Sequence, residues 1–74
     1  MDCTIKCIWD SEAERWVAMS DDDIGLTLES SSLDKLIERV KLAAPEMIEL
    51  NCGYTGHVKL NIIAERFVDI DAVA

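Results

Sequence analysis

Seventy-four residues carrying 15 acidic and 7 basic side chains have a net charge of -8, and a chain this short makes a single domain, residues 1–74. The charge argues against binding DNA or RNA directly, because affinity for those polyanions comes mainly from Lys and Arg neutralising phosphates. It suits a basic protein partner, although acidity also simply keeps a small protein soluble.

A single core of this size supplies only ~3–5 kcal/mol without outside help. Three cysteines cannot all pair with one another, so a disulfide framework is not expected. Self-association into a homodimer is the expected supplement. Residues 1–15 lack a basic segment followed by an apolar core, so no secretory signal is read there. No apolar run approaches the ~20 residues that span a membrane. Cysteines outside a disulfide framework agree with a reducing, cytoplasmic location.

The first predicted element is a strand over Cys3–Asp10. Cys3, Ile5, Cys7 and Trp9 share one face, and Thr4, Lys6 and Asp10 the other, with Ile8 interrupting the polar side. Residues Asp10 to Glu14 form the connection to a second strand, Arg15–Ser20, which is apolar on both faces at its centre. That pattern predicts a middle strand, and closeness in sequence predicts an antiparallel hairpin. Asp21-Asp22-Asp23 interrupts, since Asp is depleted in strands. Ile24–Glu29 reads as a short third strand, with Gly25 supplying a special backbone angle or a bulge.

Ser30-Ser31-Ser32 signals a helix start, with Ser31 and Ser32 equally good caps. Leu33, Leu36, Ile37, Val40, Ala44, Met47 and Ile48 then form one apolar stripe along a helix. Pro45 falls inside it and removes the hydrogen bond to the Lys41 carbonyl. The stripe keeps its phase beyond Pro45, which predicts a kinked helix rather than a stop. Asn51 or Gly53 can take the left-handed conformation that ends it. A final strand is predicted over His57–Arg66, and Phe67 to Ala74 either extend it or fray. The order is strand, strand, strand, helix, strand. This is an α+β fold in which one helix covers one face of a small, mostly antiparallel sheet. The other face is left to solvent, a second copy or a partner.

Several residues invite a chemical reading. Asp21, Asp22 and Asp23 carry oxygens suited to a hard cation such as Mg²⁺, and on that basis a metal-dependent hydrolase is a rival reading. Consecutive side chains on an extended chain point to opposite faces, however, and the twelfth position from Asp21 is Ser32 rather than the glutamate of a calcium loop. A solvated turn is the simpler reading. Cys3, Cys7, Cys52 and His57 form a conceivable zinc set, but Cys3 and Cys7 lie roughly 13 Å apart along a strand and cannot share one ion. Buried, inert thiols fit better. His57 has no evident orienting partner, and no nucleophile–base order or phosphate-cradling loop is present. Neither catalytic residues, nor a metal site, nor a cofactor is expected. Trp9 and Trp16 read as core or hairpin packing, or as interface anchors if they face outward.

Taken together, Trp9, Asp10, Glu12, Ala13, Trp16, Ala18, Ser20, Asp21, Asp22, Gly25 and Leu26 match a pattern close to W-D-P-E-A-G-x-W-x-A-x-S-D-D-x-P-G-L. Ser32, Leu33 and the run Pro45-Glu46-Met47-Ile48-Glu49-Leu50-Asn51 continue it. On these residues the chain resembles the HicB-like proteins, antitoxins of the HicA–HicB toxin–antitoxin type, and most of all a compact branch labelled a domain of unknown function. The likeness spans about residues 3–66. Ser11 and Ile24 stand where the pattern has proline, and Glu14 where it has glycine, so both turns depart from it.

The resemblance implies a β-β-β-α-β fold similar to a truncated ribonuclease H fold, without that enzyme's catalytic carboxylates. It also implies a non-enzymatic module that masks a small basic toxin cutting mRNA. Full antitoxins of this type carry a C-terminal DNA-binding domain, and none is expected here. The expected partner surface is the hairpin and turn with Trp9, Trp16, Asp21, Asp22 and Asp23, together with strand four. The alternative is a stand-alone homodimer with a structural or ligand-sensing role.

Overall fold

A computed structural model describes residues 1–20 and 24–72. Its elements are β1 (Asp2–Asp10), β2 (Arg15–Ser20), β3 (Thr27–Ser30), α1 (Leu33–Cys52) and β4 (Lys59–Glu65). The α+β, β-β-β-α-β arrangement is as expected. β1 and β2 form the antiparallel hairpin, with Trp9 opposite Trp16 and Cys7 opposite Ala18. β2 also pairs antiparallel with β3, so it lies inside the sheet, as its two apolar faces require. β4 adds on the far side of β1 and runs parallel to it. The sheet order is therefore β3-β2-β1-β4.

The two-residue alternation of strands assigns the faces. Cys3, Ile5 and Cys7 of β1 and Ala18 of β2 are buried beneath the helix. Leu28, Leu60 and Ile62, which pair onto that same face, pack partly against this core. The helix contributes Leu36, Val40, Ala44 and Ile48, each wholly buried and each four residues from the next. This is one row of an amphipathic helix. Among the strands, α1 packs chiefly on β3 and β2, which leaves the β4 side of the covered face thinly roofed.

Ser32 caps the helix, its hydroxyl accepting from the Lys35 N–H at 3.3 Å. One turn of the chain earlier, the buried Ser30 hydroxyl accepts from the Ser32 N–H at 3.2 Å and fixes the entry of the chain. The helix runs unbroken through Pro45. Pro45 is exposed, and the only intrahelical bond its ring removes is the one to the Lys41 carbonyl. Gly53, with φ of 68°, closes the helix and donates its N–H to the Glu49 carbonyl at 3.0 Å. Of the two candidate residues for that role, glycine takes it and Asn51 serves elsewhere.

Strand boundaries differ from the sequence reading, most of all in β3 and β4. β3 starts at Thr27 rather than Ile24, because Gly25 has φ of 70° and breaks the extended chain. Ile24 and Leu26 are instead buried from the loop that precedes the strand. β4 is shorter than His57–Arg66 at both ends. Residues 66–72 leave the sheet without regular structure.

Candidate functional site

The hairpin turn is built by Asp10, whose Oδ1 accepts from the N–H groups of Glu12 at 3.0 Å and Ala13 at 3.2 Å. An aspartate that bonds its own backbone two residues on makes a local turn. The turn closes with Glu14 at φ of 54°, a left-handed conformation in a residue that is not glycine. Glutamate at this angle adds strain to the turn. Beside the turn, Trp9 and Trp16 meet edge to face with ring centroids 5.6 Å apart. The Arg66 guanidinium lies 4.2 Å from the centre of the Trp9 ring. Both tryptophans are half-buried, and their register puts them on the helix-bearing face, with Trp16 against the core.

The loop between β2 and β3 is anchored at its base. Ser20 donates its N–H to the Leu26 carbonyl at 3.0 Å, and the Ser20 hydroxyl accepts from the Leu26 N–H at 2.9 Å. From the end of the helix, Asn51 Nδ2 donates to the Ile24 carbonyl at 2.8 Å. A side chain at Gly25 would start 3.5 Å from that same nitrogen. The loop is thus held from β2 and from α1 at once. Asp21, Asp22 and Asp23, expected to be part of the partner surface, belong to this loop and lie outside the described residues.

The open face of the sheet mixes apolar and charged groups. Ile8 sits opposite Val17, and Lys6 lies between Met19 and Ile63. Lys6 reaches Glu65 at 3.3 Å and Arg15 reaches Glu29 at 3.9 Å. These are exposed pairs of a kind that adds little stability. Met19 and Ile63 are 42% and 45% exposed, so the face offers apolar surface bordered by charge.

Cys3 and Cys7 are buried in β1 and Cys52 is exposed on the helix. Burial raises the Cys7 thiol above its ordinary value of 9.0. Among the described residues, no group of three or more His, Cys, Asp or Glu is placed to hold a metal ion. His57 is exposed, and its backbone carbonyl accepts from the N-terminal amine at 3.1 Å and from the Tyr54 hydroxyl at 2.8 Å. Its role in the fold is carried by the backbone. No described helix is long and apolar enough to cross a membrane.

The anchoring roles of Ser20, Asn51 and Arg66 escape a reading by periodicity. Ser20 and Asn51 had one signal in sequence: both fall in the pattern that carries the family resemblance.

The fold recurs in a solved structure, the crystal structure of hypothetical protein TTHA1013 from the extremely thermophilic bacterium Thermus thermophilus. That protein is 32% identical, with a TM-score of 0.78 over 95% of this chain and 100% of that one. No curated protein matches the chain. The model of the domain of unknown function DUF1902 matches residues 2–70, and the chain belongs to that family.

Proposed function

We propose that this chain is a non-enzymatic protein-interaction module of HicB-like type, which self-associates and masks a small basic ribonuclease of HicA type. The observation that carries the reading is the uncovered sheet face. Ile8, Val17, Met19 and Ile63 stand there around Lys6, with the exposed pairs Lys6–Glu65 and Arg15–Glu29 on the same face, in a chain of net charge -8. Protein interfaces commonly mix apolar and polar area in this way. Acidic surface speeds encounter with a basic partner and repels nucleic acid.

The hairpin end adds an anchor. Trp9 and Trp16 present half-buried aromatic surface at the end of the sheet, and aromatics dominate interface energetics. Asp21, Asp22 and Asp23, which follow β2 in sequence, add to the chain's negative charge. In this reading they attract the partner rather than bind a metal.

The test is co-expression with the product of the neighbouring gene. A small basic protein that purifies in fixed ratio with the chain, and whose RNA cleavage stops when the chain is added, supports the reading. Clean isolation of the chain, with no effect on cleavage by that product, removes it. The homodimer of structural or ligand-sensing role then stands in its place.

A further inference from the structure

The two edges of the sheet are unlike. β3 is only four residues long. The Ser20–Leu26 bond sets the alternation of its pairing with β2, so Glu29, opposite Val17, turns its carbonyl outward. There the Arg39 guanidinium donates to it at 2.7 Å. A short edge closed by a charged side chain resists pairing with another strand. β4 is seven residues long, and among the described residues no side chain is seen closing its outer edge.

Beyond β4 the chain continues outward. Phe67, Val68 and Ile70 are 83%, 68% and 87% exposed. The radius of gyration is 14.7 Å and the long dimension 57 Å against 19 Å for the others. A compact chain of this length has a radius near ~11 Å. The apolar arm therefore projects from the body of the domain. At the other end of β4, Lys41, Ala44, Pro45, Val58 and Leu60 line an open groove of about 240 Å³ beside the helix. A straight strand separates this groove from the arm of the same chain, by roughly 20 Å at ~3.3 Å per residue.

We propose that β4 pairs antiparallel with β4 of a second copy about a two-fold axis at Ile62, joining two sheets into one. Ile62 is the middle residue of the strand, so this register uses its whole length. Lys59 then lies opposite Glu65 of the partner subunit, and the pair occurs twice. Both residues are on the open face, as their register with Asp2 and Ile8 shows. Shifting the axis to Asn61 or Ile63 loses both ion pairs. The symmetry places both helices on the same side of the joined sheet. It also carries each arm, with its exposed Phe67, Val68 and Ile70, past the partner's Val58 and towards the groove. The pairing deepens the interaction-module reading by naming one partner, and it requires no ribonuclease, so the two stand or fall in separate experiments.

Sedimentation equilibrium on the purified chain tests it. The expected mass is twice the 8.3 kDa of one chain. Lys59→Glu places like charges opposite each other twice and is expected to weaken the dimer about tenfold or more. Adding Glu65→Lys restores opposite charges and recovers the affinity. In a Cys52→Ser background, Ile62→Cys is expected to form a covalent dimer on mild oxidation, because self-paired residues of antiparallel strands bring their Cα atoms to about 4.5–5.5 Å, within disulfide reach. A monomer at ~100 μM overturns the proposal. So does a dimer that ignores Lys59→Glu and does not cross-link through Ile62→Cys, or one lost with Lys59→Glu and not recovered by Glu65→Lys.

Discussion

Replacing Asn51 with alanine isolates the bond that ties the helix to the β2–β3 loop. Asn51 Nδ2 donates to the Ile24 carbonyl at 2.8 Å in a part-buried setting, and Ile24 itself is buried. Leaving a part-buried carbonyl without its donor costs about 1–3 kcal/mol. Alanine is the better helix former by about 0.6 kcal/mol, which opposes the loss. The expected net is destabilisation of about 1–2 kcal/mol, or a fall in Tm of roughly 4–15 °C for a domain of this size. Thermal unfolding followed by circular dichroism reads the shift, and urea unfolding with an unchanged m-value shows that the folded state is otherwise kept. Asn51→Asp is expected to be at least as damaging, since it sets a carboxylate against a carbonyl. A Tm within about a degree of the parent for both variants would show that the bond does not hold the loop.

Three further outcomes are expected from the same geometry. Glu14→Gly relieves the left-handed strain at φ of 54° and is expected to stabilise by about 0.5–1 kcal/mol, the strain relieved less the entropy glycine gains when unfolded; a lower urea midpoint would contradict this. Leu36→Ala empties part of a core in which Leu36 is wholly buried. It is expected to cost about 2–5 kcal/mol, enough to leave much of the chain unfolded at body temperature, and retention of most of the parent's stability would show that the helix is not the roof of the core. For the thiols, Cys52 is expected to react with a thiol reagent at once, and Cys3 and Cys7 only on unfolding. The raised Cys7 value means that both states hold its proton well below the ordinary value of 9.0, whereas above it the unfolded chain releases the proton first. Stability should therefore fall as pH climbs past that value, less steeply in a Cys7→Ala variant.

The elements that sequence made legible are those with a clean period. The stripe from Leu33 to Ile48 marked the helix, and it stayed in phase across Pro45 because that residue sits on the exposed side. The doubly apolar centre of Arg15–Ser20 located an internal strand. The parallel pairing of β1 with β4 had no such signal, since it joins segments far apart in the chain whose alternation is the same in either direction. The late start of β3 was hidden for a different reason. Ile24 and Leu26 look like strand residues, and only the backbone angle of Gly25 reveals that they are plugs from a loop.

The candidate surface was legible in outline only. A single helix for the whole sheet predicted an uncovered face, while the half-buried setting of Trp9 and Trp16 depends on the hairpin register and on Arg66 arriving from the far end of the chain. Arg39 offered no hint of its task, because closing the β3 edge requires a helix laid across the sheet.

The most direct measurement takes the product of the neighbouring gene, which the antitoxin-type reading expects to be a small basic ribonuclease. Its RNA cleavage is followed as purified chain is titrated in. Cleavage is expected to fall to background at a fixed stoichiometric ratio, and Ile8→Asp together with Met19→Asp, on the open face, is expected to abolish the effect while the fold persists. Cleavage that continues unchanged at excess chain would contradict the antitoxin-type reading.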